Sequence, residues 1–224
     1  MSTGDLATES REVRDFDRVV LRDYGELIIE QGAQEALTIE TDPDILPRIE
    51  TEVKSGTLTL ALGGSWADRL GDALTTSLTR KPIRYILRVK KLTGLEVRGA
   101  ASVTGSDIET ERLALILRGA GSVKVDSLTA ESLEVDLPGM GSVDLSGRVS
   151  EQRLAISGAG TYEASKLESK KAAVDLRGAG KATVWAAEEL DVTIRGLGSV
   201  EYYGSPTVNK NISGLGSVTS LGSP

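Results

Sequence analysis

Leu113-Ala114-Leu115-Ile116-Leu117-Arg118-Gly119-Ala120-Gly121-Ser122-Val123-Lys124-Val125-Asp126 is the stretch whose reading decides the fold. Leu113, Leu115 and Leu117 alternate with other residues, a Gly-Ala-Gly corner interrupts them, and Val123 and Val125 resume the alternation. A period of two on both sides of a bend is the mark of two short strands joined by a corner. The unit returns along the chain. Leu133, Val135 and Leu137 precede Gly139, Val143 and Leu145 follow it, and Val192 and Ile194 precede Gly196. Corners of the form Gly-apolar-small-Ser-Val begin at Gly99, Gly119, Gly139, Gly158, Gly178, Gly196 and Gly214, at steps of 20, 20, 19, 20, 18 and 18 residues. A fixed period of this length is the signature of a solenoid.

A hairpin meander would also alternate, but it would show pairs of different turns rather than one corner repeated at a fixed period. A parallel coil supplies the reason for the repetition: each turn lies about 4.8 Å above the last, so equivalent residues stack in columns and one corner serves every rung. The expected fold is all-β, a parallel β-helix (solenoid) with rungs of about 18–20 residues. The second corner position is always apolar (Ala100, Ala120, Met140, Ala159, Ala179, Leu197, Leu215), which places it inside on composition. The fifth position is expected inside as well. The fourth (Ser102, Ser122, Ser142, Thr161, Lys181, Ser199, Ser217) tolerates lysine and is expected to face water. The corner glycines Gly99, Gly119, Gly121, Gly139, Gly141, Gly158, Gly160, Gly178, Gly180, Gly196, Gly198, Gly214 and Gly216 read as structural, required by a positive φ or by close approach of the next rung. A phosphate-cradling reading of Gly-x-Gly lacks both the strand-to-helix context and a Lys-Ser/Thr partner.

Residues 14–224 read as one β-helix domain, with irregular early coils over 14–98 and seven regular rungs over 99–224, preceded by a disordered segment over 1–13. Val19-Val20-Leu21, Leu27-Ile28-Ile29, Leu37-Thr38-Ile39 and Thr57 to Leu62 form the early strands, punctuated by Gly25, Gly32, Pro43, Pro47 and Gly56. One segment leaves the β pattern. Ser65 with Asp68 makes a capping box, and Trp66, Leu70, Ala73, Leu74 and Leu78 recur at helical spacing, predicting a short inserted helix over 66–77. Its apolar face either covers the end of the solenoid or forms an interface centred on Trp66, Leu70 and Leu74.

Composition limits the chemistry. The 224 residues carry a net charge of -7 and no Lys/Arg run, which argues against a nucleic-acid partner. The absence of cysteine and histidine removes thiol nucleophiles, Cys/His metal sites and Ser-His-Asp arrangements. No stretch is apolar enough to form a transmembrane segment, and Met1-Ser2-Thr3-Gly4-Asp5 is too polar to open a secretory signal, so the cytoplasm stays open as a location.

The residues also resemble a known family, the GIN domain, described as the head domain of autotransporter adhesins and as a bacterial domain of unknown function. The likeness runs through Phe16-Asp17-Arg18-Val19, Ile28 to Gly32, Leu46-Pro47, Thr57 to Leu60, Val89 to Leu95, all seven corners and Tyr202-Tyr203-Gly204-Ser205-Pro206. The resemblance implies a right-handed parallel β-helix in a periplasmic, envelope or cell-surface protein, and no catalytic residues. In many relatives the corner reads Gly-Ser-Gly-Asp or Gly-Ser-Gly-Ser, whereas here the second position is apolar and no corner carries Asp.

A repeat-toxin calcium roll needs Gly-Gly-x-Gly-x-Asp nonapeptides, which this longer period lacks, so neither a metal nor a cofactor is expected. A polysaccharide-acting enzyme needs clustered carboxylates, and Asp126, Asp136, Asp144, Asp175 and Asp191 read as occupying different rung positions. The Ser/Thr column reads as solvent-facing turn chemistry. Trp185, Tyr202 and Tyr203 are the concentrated aromatics of the later rungs, able to stack on a saccharide or to cover the carboxyl-terminal rung. Two functions follow. One is a non-catalytic envelope or surface binding module presenting a β-helix face to a protein or glycan. The other is a bactofilin-like scaffold that assembles with itself end to end, or as a small homo-oligomer, through open rung edges. The inserted helix, Pro206 and Pro224 read as caps and favour the first; a polysaccharide-acting enzyme is a distant third.

Overall fold

A computed structural model describes residues 6–64 and 83–223. The strands are β1 (Ala7–Arg11), β2 (Arg18–Leu21), β3 (Gly25–Gln31), β4 (Ala36–Thr41), β5 (Ile49–Lys54), β6 (Thr57–Leu62), β7 (Ile83–Val89), β8 (Gly94–Val97), β9 (Ala101–Leu117), β10 (Ser122–Leu137), β11 (Ser142–Ile156), β12 (Thr161–Leu176), β13 (Ala179–Ile194), β14 (Leu197–Tyr203), β15 (Thr207–Ile212) and β16 (Leu215–Gly222). They make up a β-solenoid of about six turns, with 73% of the described residues in strands and a 3-10 turn at Leu46–Arg48. The predicted helix over 66–77 lies outside the described residues.

From β8 and β9 onward, strands pair in parallel with the rung before and the rung after. Each rung from β9 to β13 is one long strand bent in place rather than two separate ones, and the next is divided into β14 and β15. In a straight strand side chains alternate in and out, so two outward residues in a row mark a bend. β9 has such pairs at Ser106-Asp107 and Glu111-Arg112. At the first of these bends Asp107 and, one rung on, Ser127 hold left-handed φ values of 53° and 63°. Three straight runs per turn, closed by the Gly-x-Gly corner, enclose a core of aliphatic columns. Leu137, Ile156, Leu176 and Ile194 stack in register and are at most 1% exposed, each worth about 1.5–3 kcal/mol of burial.

The corner glycines owe their place to close approach alone, because none of them has a positive φ. A Cβ on Gly119, Gly139, Gly158, Gly178, Gly196 or Gly214 would land on the carbonyl oxygen of the corner glycine one rung before it. The fifth corner column is buried as expected at Val103, Val123, Val143, Tyr162, Ala182 and Val200 and half-buried at Val218 on the last rung, and the fourth is exposed or half-buried. The second position is a correction: Ala100, Ala120, Met140, Ala159, Ala179, Leu197 and Leu215 all face solvent, with Met140 67%, Leu197 56% and Leu215 79% exposed. The cause is parity. Counting back from the inward Val103, alternate residues put position three inside and position two outside, at the convex apex of the bend.

The amino-terminal coils do not stack in chain order. β2 is paired in parallel on one side with β6 and on the other with β8, and β3 likewise lies between β7 and β9. The rung made by residues 18–31 is thus sandwiched between the rung containing β6 and β7 and the rung opened by β8. Beyond it the stack is closed by antiparallel strands: β5 on β6, β4 on β7, and β1 outermost on β4. Residues 7–11 are therefore not part of a disordered tail, as their polar sequence suggested. Arg11, 17% exposed, fastens β1 by donating to the carbonyls of Ile49 and Leu46 and to Glu9. These charge-assisted bonds give a polar strand the partners that apolar burial does not.

Gly178→Ala is expected to lower stability by at least about 2 kcal/mol in urea unfolding, because the new Cβ meets rigid backbone. Gly160→Ala, whose Cβ would sit 3.2 Å from the Gly141 carbonyl, is expected to cost less than about 1 kcal/mol.

Candidate functional site

The third straight run of each rung, after the bend near residue 111, lies in a flat ladder whose outward residues form columns. One column reads Arg112, Ser132, Glu151, Lys171, Glu189 and Thr207; the next reads Ala114, Glu134, Arg153, Ala173, Asp191 and Asn209; the third reads Ile116, Asp136, Ala155, Asp175, Thr193 and Asn211. Small residues at Ala155 and Ala173, among larger neighbours, leave a groove of about 560 Å³, within the size range of small-ligand sites. Its walls carry both signs of charge. Glu134, Asp136 and Asp191 face Arg153 and Arg177 across it. Arg177 bonds Asp175 at 2.5 Å, with Arg195 reaching in from the next rung to 3.8 Å from the same oxygen, and beside the groove Lys171 bonds Glu189 at 3.1 Å, which raises the Lys171 pKa. The Asp175 Oδ1 atom is buried and accepts no hydrogen bond, and Asp191 accepts one from Asn209 at 2.9 Å.

Asp136 and Asp175 share a column, separated by Ala155, which corrects the expectation that the later aspartates occupy different rung positions. Adding the rung lengths of 19 and 20 residues to Asp136 would have found this. The same sum brings Glu134, Arg153 and Arg177 to the groove, none of which stands out in the sequence. Among the described residues no group of three or more carboxylates is arranged to hold a metal ion.

The aromatic trio is divided. Trp185 pairs in register with Tyr203, and Val184 with Tyr202. Val184 and Ala186 are fully buried, so Trp185 between them points outward, as does Tyr203 on the following rung, while Tyr202 packs against the core. Both outward rings are half-buried. Trp66, Leu70 and Leu74 lie outside the described residues.

A buried polar network sits beneath Trp185. Tyr162 donates to Gln152 Oε1 at 2.9 Å, Gln152 donates through Nε2 to Ser169 Oγ at 2.9 Å, and the Ser169 hydroxyl donates to the Trp185 carbonyl at 2.7 Å. Burial raises the Tyr162 pKa, keeping its phenol a neutral donor. The network lies where the β12–β13 register slips between Ala164 and Glu168, and it supplies partners for groups that the slipped ladder leaves over. At the head of the third outward column, one rung before Ile116, Glu96 receives bonds from Arg98 at 2.8 Å and Arg118 at 2.7 Å, which together hold its carboxyl below the usual glutamate value.

Two outcomes follow. Tyr162→Phe is expected to cost about 1–3 kcal/mol in urea unfolding, because Gln152 loses its donor in a dry interior. Glu96 has a lower pKa folded than unfolded, so its contribution is complete above the ordinary value of 4.5 and is lost as pH falls through the depressed folded value. Urea midpoints measured from pH 6 downward (~pH 6 to 3) should fall less steeply for Glu96→Gln than for the parent.

Comparison with known proteins agrees with this architecture. A putative adhesin from Bacteroides fragilis aligns over 98% of both chains with a TM-score of 0.85 and 25% identity. A putative lipid binding protein from Parabacteroides distasonis aligns over 98% of both chains at 0.73 and 21%, and a putative adhesin from Parabacteroides merdae over 98% of this chain and 97% of that one at 0.67 and 18%; these two show the fold alone. A search of curated proteins gave no match. The model of the family described as "Putative auto-transporter adhesin, head GIN domain" matches residues 15–206, and the chain belongs to that family.

Proposed function

We propose that this protein is a non-catalytic binding module of the bacterial envelope or cell surface, which presents a lateral face of the β-helix to a protein or glycan. The observation that carries this reading is the groove across β10 to β13, a preformed concavity of mixed charge on a ladder too regular to move. The adhesin names of the family and of the Bacteroides fragilis relative support a surface role. Catalysis is not part of the reading. Asp175 is engaged by two guanidiniums and Asp191 by an amide, an arrangement suited to fixed recognition rather than to a carboxyl that must exchange a proton with substrate.

The scaffold reading draws on the outer edges of β15 and β16, on which no strand pairs among the described residues. Against it, the amino-terminal end is covered by the antiparallel, charged β1 and β5. At the other end Lys210 occupies the core column of Val174 and Val192, a charge set where a further rung would have to pack. Among the described residues no helix is long and apolar enough to cross a membrane.

Fluorescently labelled protein is expected to bind isolated bacterial envelopes or epithelial cells saturably. The double reversal Arg153→Glu, Arg177→Glu, at the two cationic residues of the groove, should weaken that binding by about tenfold or more while the thermal midpoint stays within a few degrees. Binding that is absent, or indifferent to the groove, would sink the proposal. Mass that climbs without limit in light scattering would favour the scaffold.

A further inference from the structure

We infer that Trp185 and Tyr203 form a stacking platform for a neutral saccharide, at a site separate from the groove. The inference rests on the binding-module reading and gives that module a ligand class. The two rings stand outward in one column on adjacent rungs, about 4.8 Å apart at the backbone. The Trp185 indole leans along the column toward the next rung: its Cδ1 lies 3.5 Å from where a Cβ on Gly204 would stand. Gly204 has a φ of +99°, a conformation suited to glycine, and a Cβ there would strike the Ala186 carbonyl, so the backbone beside Tyr203 passes close over the rung that carries the indole.

The platform has a polar margin. Thr183, two residues before Trp185 and also outward in parity, is only 4% exposed, because Glu163 and Glu201 stand before and after it in the same column. Glu201 is tied to Lys181 at 2.9 Å, and Glu163 accepts from the Ser165 backbone at 3.1 Å. Aromatic faces beside fixed carboxylates suit a ligand with apolar C–H on one side and hydroxyl donors along its edge, which describes a pyranose ring. The carboxylates disfavour an anionic polymer, and they would be stranded under an acyl chain. The platform is also braced from within. The Trp185 carbonyl is held by the buried Ser169 hydroxyl, and Ser169 is held by Gln152, so the backbone that carries the indole is set before any ligand arrives.

The test uses the full chain in a Trp66→Phe background, where Trp185 is the sole tryptophan. Its emission is followed during titration with cellohexaose, chitohexaose, mannohexaose and maltohexaose, with heparin and a decaproline peptide alongside. At least one neutral hexasaccharide should shift the emission saturably below about 5 mM, and Tyr203→Ala should weaken it about tenfold or more with the circular dichroism unchanged. Calorimetry on Trp185→Ala should show the same loss. Failure of all four sugars overturns the inference, as does binding indifferent to Tyr203, or a response to decaproline or heparin alone. If cells still bind the labelled protein while the sugars fail, only the saccharide platform falls; loss of both removes the binding-module reading as well.

Discussion

The fold depends on one close contact repeated rung after rung: the backbone of a corner glycine resting on the carbonyl of the glycine before it. There is no room for a Cβ, so the rungs stand at strand spacing even where the chain turns most sharply. Because the corners stack without offset, the fifth positions fall in one column, buried from Val103 to Val200, and a core with few aromatic rings closes around aliphatic side chains. A coil whose corners were held by side chains would need a different solution at each rung; backbone contact gives one solution that sequence drift elsewhere does not disturb.

That regularity governs what the surface can do. Residues far apart in the chain come to share a column by the arithmetic of rung length, as Asp136 and Asp175 do on either side of Ala155, or Trp185 and Tyr203 directly. A groove on such a face is a matter of which columns hold alanine and which hold longer side chains. Its charges are bound to neighbours on the same rung or the next, so the face keeps its pattern without loops to arrange it.

How much of this the sequence shows depends on whether a feature is periodic. The corners, the rung length, the inward fifth column and the outward hydroxyl column are periodic and legible. The exposed apolar second position misleads because composition and parity disagree there, and parity prevails: an apex residue has no interior to enter. The order of the first coils is written in no local pattern, since nothing in Arg18–Leu21 says that its neighbours are Thr57–Leu60 and Gly94–Val97. Arg11 likewise looks like tail sequence until its bonds to Ile49 and Leu46 are seen. The groove became visible only through register, and Trp185 was conspicuous by residue type without its outward direction being clear.

The sandwiched position of the rung formed by residues 18–31 has a consequence for assembly. One face of that rung is completed only by β6 and β7, which lie on opposite sides of residues 63–82, and the other only by β8 and β9, whereas every rung from β10 onward needs only the one just completed. Closing the long connections is the slow, entropically costly step, and the regular coils are local and fast. The amino-terminal coils, first to be synthesised, are thus among the last to be locked in. The finished molecule is tied like a parcel: β1 lies on the outside, but the coil that follows it is drawn beneath later turns, so that fraying past β1 must displace strands made after it.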